Sequence, residues 1–238
     1  VKSALETAIK LAPKLASAHY NRGNAHWDND DLEAAISDYD QAIAADGAFA
    51  EAYYMRGVMR RHTDQSALAL TDLNQAINLR SNMVEAYNER GLVYEDMDDL
   101  ARAAEDYDKA LALRPNYMPA TVNRGNIYYR LDDWDRALAY YDRAIKLAPD
   151  ESQAHHNRGY ALFRLEKYEL ALEAAQSAIE LEPEDASTWV LVGRIRHAMG
   201  QYAEAVRDYG EAIALDETDG EVYYYRALSY RELEQEEL

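Results

Sequence analysis

The 238-residue sequence predicts an all-α solenoid, a fold in which helical hairpins of one repeating type stack in a row. Three observations favour this class. A glycine recurs every 34 residues, and two alanines recur with the same period. A short polar segment separates two helix-like stretches within each period. Self-similarity at a fixed spacing of roughly 20 to 50 residues is typical of stacked repeat proteins.

The recurring glycine sets the boundaries of the repeats. It lies at Gly23, Gly57, Gly91, Gly125, Gly159 and Gly193. When it is numbered position 8, six complete repeats cover residues 16–49, 50–83, 84–117, 118–151, 152–185 and 186–219. Residues 1–15 then correspond to the second helix of a partial repeat, and residues 220–238 to the first helix of another. We therefore expect a single array over residues 1–238.

The first element of each repeat is predicted to be a helix with the glycine in its interior. In the first repeat it reads HYNRGNAHW at residues 19–27, which suits a helix at every position except Gly23. Glycine inside a helix costs roughly 1 kcal/mol relative to alanine, so a compensating contact is needed. We predict that the small residues at positions 8, 20 and 27 let the paired helices approach closely, with a gain in packing that outweighs this cost.

A polar turn and a second helix are predicted to follow. The turn reads DNDD at residues 28–31 and DMDD at residues 96–99, and acidic residues stabilise the start of the next helix. In the second helix, positions 20 and 27 are always alanine and position 28 is a large aliphatic residue, so one face is apolar. Position 24 of this face is aromatic in four repeats, as Tyr39, Tyr107, Tyr141 and Tyr209. Proline ends the helix in three repeats, at Pro115, Pro149 and Pro183.

This pattern resembles the tetratricopeptide repeat (TPR) family. The 34-residue unit of that family has an aromatic residue at position 4, Leu-Gly at positions 7 and 8, Tyr at 11, Ala at 20, an aromatic residue at 24, Ala at 27 and Pro at 32. The resemblance covers the whole chain. It implies a right-handed superhelical solenoid of helix-turn-helix repeats in which the first helix of each repeat lines a concave groove.

Position 7 departs from the family pattern, because arginine replaces the usual leucine in five repeats. These residues are Arg22, Arg56, Arg90, Arg124 and Arg158, whereas the sixth repeat has Val192. Position 25 of the same five repeats carries a hydrogen-bond acceptor, as in Asp40 and Asp108, and the sixth has Gly210. We predict that each arginine donates to the acceptor at position 25 across its own hairpin.

Composition excludes several classes of function. A formal net charge of −19 would repel a phosphate backbone, so no nucleic acid is expected as a ligand. No apolar stretch is long enough for a membrane-spanning helix, so no membrane insertion is expected. The absence of cysteine excludes disulfides and thiolate metal sites. No nucleophile, phosphate-binding or metalloprotease motif occurs, and the histidines lack convergent spacing, so we expect no enzyme activity, cofactor or metal.

The resemblance places positions 2, 5, 6, 9, 12 and 13 of each repeat on the concave groove. In the early repeats these positions are mainly acidic and aromatic, with Tyr20, Asn24, Trp27, Glu51, Tyr54, Glu85 and Glu89 as candidate ligand contacts. In the later repeats they are neutral to basic, with Asn123, Asn126, Arg130, Asn157, Tyr160, Arg164 and Arg194 as candidates. Amide and guanidinium groups are suited to peptide backbone and carboxylate groups.

The sequence therefore predicts a non-catalytic scaffold that binds a protein or peptide segment in this groove. A basic segment of the partner is expected to meet the early acids. Two alternatives are a regulatory TPR array within a larger enzyme-containing polypeptide, and a structural protein that assembles head to tail into a homo-oligomer through its terminal helices. Because the chain begins with valine instead of methionine, we expect it to be a processed or shortened product.

Overall fold

The computed structural model describes residues 2–236, which form fourteen α-helices and no strand, as the predicted all-α class requires. The helices are α1 (Lys2–Leu11), α2 (Ala16–Trp27), α3 (Leu32–Ala45), α4 (Ala50–His62), α5 (Ser66–Leu79), α6 (Val84–Asp96), α7 (Leu100–Leu113), α8 (Met118–Arg130), α9 (Trp134–Leu147), α10 (Ser152–Arg164), α11 (Tyr168–Leu181), α12 (Ala186–Ala198), α13 (Tyr202–Leu215) and α14 (Gly220–Glu236).

The chain divides into two compact units, with the boundary between Ala120 and Thr121 in α8. In the first unit, the helices α2, α4 and α6 pack against α3, α5 and α7 respectively. In the second unit, α10 packs against α11, α12 against α13, and α13 against α14. Each unit is thus a series of antiparallel helical hairpins whose neighbours also touch.

Each hairpin turn contains one residue in the left-handed backbone region. These residues are Asp30, Asp64, Asp98, Asp132, Glu166 and Gly200, with φ between 56° and 74°. The next residue is the N-cap that immediately precedes the second helix. In three hairpins this N-cap is an aspartate, which accepts a hydrogen bond from a backbone N–H three residues later: Asp31 from Ala34, Asp99 from Arg102 and Asp133 from Arg136. The acidic runs are therefore turns followed by helix caps.

The recurring glycine is a close-packing residue, as the sequence predicts. A Cβ atom built on Gly91 would lie 2.5 Å from the Tyr107 ring, and one on Gly125 would lie 2.7 Å from the Tyr141 ring. Real side chains do not approach so closely, so only glycine fits here. Tyr107 and Tyr141 are almost wholly buried, and the area that they bury offsets the low helix propensity of glycine.

The prediction for the arginines at position 7 is wrong about their partner. Arg22, Arg56 and Arg90 each donate two hydrogen bonds to an aspartate at position 23 of their own hairpin, over 2.6–2.9 Å: Asp38, Asp72 and Asp106 respectively. These aspartates are almost wholly buried. Position 23 lies two residues, or about 200°, from position 25 on the second helix, so the two positions lie on different faces.

Position 25 instead binds the arginine of the following repeat. Arg56 also donates to Asp40, Arg90 donates to Asn74 over 2.6 Å, and Arg158 donates to Asp142 over 2.7 Å. One guanidinium therefore joins two consecutive hairpins, because its five N–H donors point in different directions. The sixth repeat has Val192 at position 7. There Arg196, one helical turn further along α12, donates to the buried Asp208 instead.

One hairpin provides a control for the glycine contact. In the fifth repeat, position 24 is Ala175, and the nearest side-chain atom to a Cβ on Gly159 is Leu191 Cδ2 at 3.1 Å. We predict that Gly91→Ala lowers the free energy of unfolding by about 1–3 kcal/mol through overpacking. Gly159→Ala should change it by less than about 1 kcal/mol, because the gain in helix propensity offsets a mild contact.

The measurement is denaturant unfolding of both variants beside the parent chain, followed by circular dichroism at one protein concentration. Equal losses of stability in Gly91→Ala and Gly159→Ala would contradict the assignment of the aromatic ring as the cause.

Candidate functional site

A pocket of about 270 Å³ lies between α8, α9 and α10 of the second unit. It is lined by Asn126, Tyr129, Arg130, Tyr141, His156, Asn157 and Tyr160. Four of these residues, Asn126, Arg130, Asn157 and Tyr160, are among the contacts that the sequence predicts. They converge because positions 9 and 13 of one first helix face positions 6 and 9 of the next.

Hydrogen bonds hold the two asparagines of the pocket in one orientation. Asn126 Oδ1 accepts from the Tyr141 hydroxyl over 2.8 Å and from Asn157 Nδ2 over 3.0 Å. Asn157 Oδ1 in turn accepts from Gln153 Nε2 over 2.8 Å. The Asn126 oxygen is thus occupied, while its NH₂ group makes no hydrogen bond within the described residues. Asn126 therefore presents two donors to a ligand.

Aromatic rings form the apolar walls of the pocket. The rings of Tyr129 and Tyr160 meet edge to face with centroids 6.4 Å apart, and the His156 ring lies 5.0 Å from that of Tyr160. Burial raises the pKa of Tyr160, so its hydroxyl remains protonated near neutral pH. Arg130 is exposed at the rim and supplies a positive charge.

The other three late candidates do not line this pocket. Asn123 is half-buried on α8. The Arg164 guanidinium lies 4.5 Å from the Trp134 ring centroid and donates to Asp132 over 3.2 Å. The Arg194 guanidinium lies 5.2 Å from the ring of Phe163 and 5.3 Å from that of Tyr225. These cation–π contacts orient both arginines, and their role as ligand contacts stays a prediction.

The early aromatic candidates pack against other side chains of the first unit, both within their own hairpins and on the next hairpin. Tyr20 contacts the rings of Tyr39 and Phe49, with centroid distances of 5.8 and 5.0 Å. Asn24 accepts from the Tyr39 hydroxyl over 2.8 Å, and Trp27 lies 5.4 Å from the His62 ring. Tyr54 is half-buried, and that burial raises its pKa.

The early acidic candidates are already paired with arginines of the same unit. Glu51 binds Arg80, and Glu85 binds Arg114 over 2.8 Å. Glu89 is buried and lies 2.5 Å from Arg61 Nε, and the same guanidinium reaches Asp96 at 3.5 Å. The sequence cannot show these pairs, because the arginines of the first two lie 29 residues further along the chain, just after the second helix of the same repeat. The acidic candidates of the early repeats therefore do not form a row of unpaired carboxylates.

Three residues that line the pocket are not among the candidate ligand contacts, namely Tyr129, Tyr141 and His156, although Tyr129 and His156 lie at predicted groove positions. Tyr141 belongs to a second helix, and its aromatic position 24 predicts only packing, yet its hydroxyl orients Asn126. His156 occupies a groove position but has no metal-ligand spacing. Its side chain is almost wholly buried beside the pocket, and burial lowers its pKa. The one feature of the sequence that points to His156 is its place at position 5 of the repeat, which lies on the predicted groove.

Two structural searches bear on other classes of function. Among residues 2–236, no group of three His, Asp or Glu side chains is arranged to hold a metal ion. None of the helices in that range is both long and apolar enough to cross a membrane.

Comparison with known families agrees with the hairpin geometry. Profiles described as tetratricopeptide repeat match residues 2–51, 20–77 and 122–186, and another matches residues 84–117. A profile described as TPR repeat matches residues 193–233. The chain belongs to the tetratricopeptide repeat family. No curated protein sequence matches this TPR chain at a significant level.

Solved structures with the same fold include a chain of a hetero-tetrameric assembly, a pilus biogenesis factor and a peptide-binding protein. In the Cut9–Hcn1 hetero-tetramer of the APC/C, a chain of 15% identity superposes with a TM-score of 0.86, over 95% of the TPR chain and 45% of the other. PilW, a type IV pilus biogenesis factor, has 18% identity and a TM-score of 0.80, over 88% and 97% of the two chains. YrrB, a TPR protein with an unusual peptide-binding site, has 23% identity and a TM-score of 0.61, over 79% and 97%. At these identities the likeness shows the superhelical repeat fold alone.

The pairing of the early acids in this TPR chain gives a stability prediction. Arg61→Met would leave the carboxylate of Glu89 buried without its counter-charge, at a cost of about 3 kcal/mol. The double variant Arg61→Met/Glu89→Leu should recover at least half of that loss, because the buried charge is removed as well. Arg80→Met breaks a more exposed pair with Glu51 and should cost less than about 1 kcal/mol.

Chemical denaturation of the three variants measures these differences. If Arg61→Met were no more destabilising than Arg80→Met, the Glu89 carboxylate would not depend on its internal partner.

Proposed function

We propose that this chain is a non-catalytic scaffold that binds a protein or peptide segment along its first helices, with the pocket between α8, α9 and α10 as the anchoring site. The single observation that carries the proposal is the oriented amide of Asn126 inside an aromatic pocket. Two N–H donors held between tyrosine rings match a carbonyl group that is flanked by an apolar or aromatic side chain.

The pocket also explains why a protein segment suits it better than a small free metabolite. It is open and only large enough for one side chain or a short piece of backbone. A single such contact is worth little, and useful affinity requires further contacts along a longer chain. The hairpin repeats supply a row of such first-helix surfaces in each unit.

The structural neighbours fit this proposal without extending it. YrrB is a TPR protein with an unusual peptide-binding site, and Cut9–Hcn1 is a hetero-tetramer. Because the chain spans 45% of the Cut9–Hcn1 neighbour, a role as one array within a larger polypeptide also stays a proposal.

A basic segment in the partner is supported less strongly by the geometry than by the sequence. Glu51 and Glu85 are partly exposed, but a basic partner would have to replace Arg80 or Arg114, which already bind them. Glu89 is buried and would not be reached without displacing Arg61. We therefore restrict the proposed basic contact to Glu51 and Glu85.

A displayed library of random peptides tests the pocket. Peptides selected on the parent chain should bind the double variant Arg130→Ala/Asn157→Ala at least about tenfold more weakly, which corresponds to roughly 1.4 kcal/mol. The matched control is Lys167→Ala/Gln201→Ala, which also removes one cation and one amide but from exposed turn positions. Titration calorimetry gives the affinities, and circular dichroism checks that both variants fold.

Unchanged affinity in the folded pocket variant would place the binding surface elsewhere and contradict the proposal. Equal losses in the pocket variant and the control would show that the effect is one of net charge.

Self-association through the terminal helices is a second candidate, favoured by one observation. On α14, Tyr223 and Tyr230 are each 46% exposed, and Ala227 between them is exposed as well. On α1, Leu5, Ala8 and Ile9 are only partly buried. We propose that these two faces meet between copies, which would join molecules head to tail.

Sedimentation velocity over about a hundredfold range of protein concentration tests this second candidate. The parent chain should show a rising sedimentation coefficient, and Tyr223→Ser/Tyr230→Ser should abolish the rise. Tyr224→Ser is the control, because Tyr224 is 62% exposed on another face of the same helix. A parent chain that remains monomeric throughout would exclude this assembly.

A further inference from the structure

The orientation of His156 in the pocket is fixed by hydrogen bonds that begin outside it. Asp185, just before α12, accepts from the Thr188 hydroxyl over 2.5 Å, and Thr188 Oγ1 lies 2.6 Å from His156 Nδ1. Thr188 is fully buried. Burial opposes ionisation of Asp185, but the hydrogen bonds from Thr188 and Ser187 prevail and lower its pKa. Asp185 is therefore a carboxylate near neutral pH.

These contacts determine which nitrogen of His156 carries the proton. A carboxylate only accepts hydrogen bonds, so the one hydroxyl proton of Thr188 points to Asp185. The Thr188 oxygen must then accept from His156, which places the ring proton on Nδ1. Burial lowers the pKa of His156 despite the attraction of Asp185, so the ring is neutral at pH 7. Nε2 then carries a lone pair.

The second ring nitrogen is the one left for a ligand. His156 lines the pocket, whereas Thr188 and Asp185 do not. Nε2 makes no hydrogen bond to any residue in the described part of the chain. It is also not one of the buried side-chain atoms that lack a hydrogen-bond partner, so it keeps some contact with solvent. Asn126 Nδ2 also lines the pocket and is a donor, whereas the hydroxyls of Tyr129 and Tyr160 can donate or accept. Nε2 of the neutral ring therefore adds a group that can only accept.

We propose that His156 is a specificity-determining residue of the pocket. At neutral pH its Nε2 accepts a hydrogen bond from an N–H of the ligand, so the pocket prefers a carboxamide or peptide group to a carboxylate. Protonation of His156 reverses that preference. Thr188 and Asp185 act through His156 as positioning residues. The proposal rests on the proposed function, since it assumes that the pocket holds a ligand.

The reversal follows from the charge and donors of the imidazole. When neutral, Nε2 repels a carboxylate oxygen and attracts an N–H. When protonated, it becomes an N–H donor with a positive charge, which attracts a carboxylate and opposes an N–H. The charged and titratable groups around it are Asp185 before α12, Tyr129 and Arg130 on α8, Tyr141 on α9, Tyr160 on α10, and Arg194 on α12 beside Tyr160. The arginines keep their charge throughout, so the pH-dependent part comes from His156.

The first test reads the tautomer directly, without a ligand. Long-range proton–nitrogen NMR correlations of the histidine rings should show the Nδ1–H form for His156 at pH 8, with His156→Gln identifying its signals. Thr188→Val keeps the buried shape but removes the acceptor, and should shift the ring towards the Nε2–H form. Asp185→Asn is a second variant that keeps Thr188. His197 is the internal control, since its Nδ1 lies 2.8 Å from the Ser229 hydroxyl, and its signals should stay unchanged.

The second test compares two probes of nearly equal shape, N-acetyl-tyrosinamide and N-acetyl-tyrosine, by NMR titration at pH 8 and at a lower pH at which the ring signals of His156 show that its imidazole is protonated. The affinity ratio of amide to acid should fall about fivefold between the two pH values in the parent chain. It should change by less than about twofold in His156→Gln, whose side chain does not titrate.

The outcomes separate the two proposals. Binding of both probes with the same pH dependence in the parent chain and in His156→Gln would overturn the role of His156 and leave the pocket intact. An Nε2–H tautomer in the parent chain would do the same. Failure of both probes to bind the parent chain at either pH would contradict the pocket as a ligand site, and with it the selectivity.

Discussion

The close approach of the two helices in each hairpin is the constraint on which the rest of the structure depends. A glycine at position 8 removes the side chain that would collide with the residue at position 24, which is most often tyrosine. Helix propensity alone would favour alanine there, so the glycine is maintained by packing and not by local conformation. Because the contact recurs in five of the six repeats, hairpins of similar geometry follow one another at regular intervals.

The same contact links packing to the candidate site. In two repeats the hydroxyl of the tyrosine that lies over the glycine reaches the asparagine next to that glycine in the sequence. Tyr39 donates to Asn24 in the first repeat, and Tyr141 donates to Asn126 in the fourth. The hydroxyl occupies the amide oxygen and leaves the NH₂ donors of the asparagine for other partners. In these repeats a core residue thereby decides which hydrogen bonds the asparagine can offer.

Buried charge is the second organising feature. Asp38, Asp72 and Asp106 are almost wholly buried, and each receives paired hydrogen bonds from an arginine of its own hairpin. Such pairs are weak evidence for added stability, since desolvation offsets much of the attraction. They are better evidence for specificity, because an arginine that also binds the preceding repeat fixes how two hairpins are placed against each other.

Sequence reasoning succeeded where a property depends on the repeat phase. The 34-residue period predicts the helical hairpins and the close-packing role of the glycine, because phase alone decides which helix face a residue occupies. Sequence reasoning failed where the outcome depends on which side chains meet in space. The preference of Arg56 for Asp72, the pairing of Glu51 with Arg80 and the tautomer of His156 all depend on the reach of individual side chains, which a period does not encode.

The link between the glycine contact and the pocket is the central claim, and a crystal structure of the Gly125→Ala variant tests it most directly. A Cβ at this position would lie 2.7 Å from the Tyr141 ring, so the ring must move. We predict that the distance from the Tyr141 hydroxyl to Asn126 Oδ1, now 2.8 Å, lengthens beyond hydrogen-bonding range and that the Asn126 amide rotates. An unchanged hydrogen bond in that variant, with the pocket as before, would contradict the account.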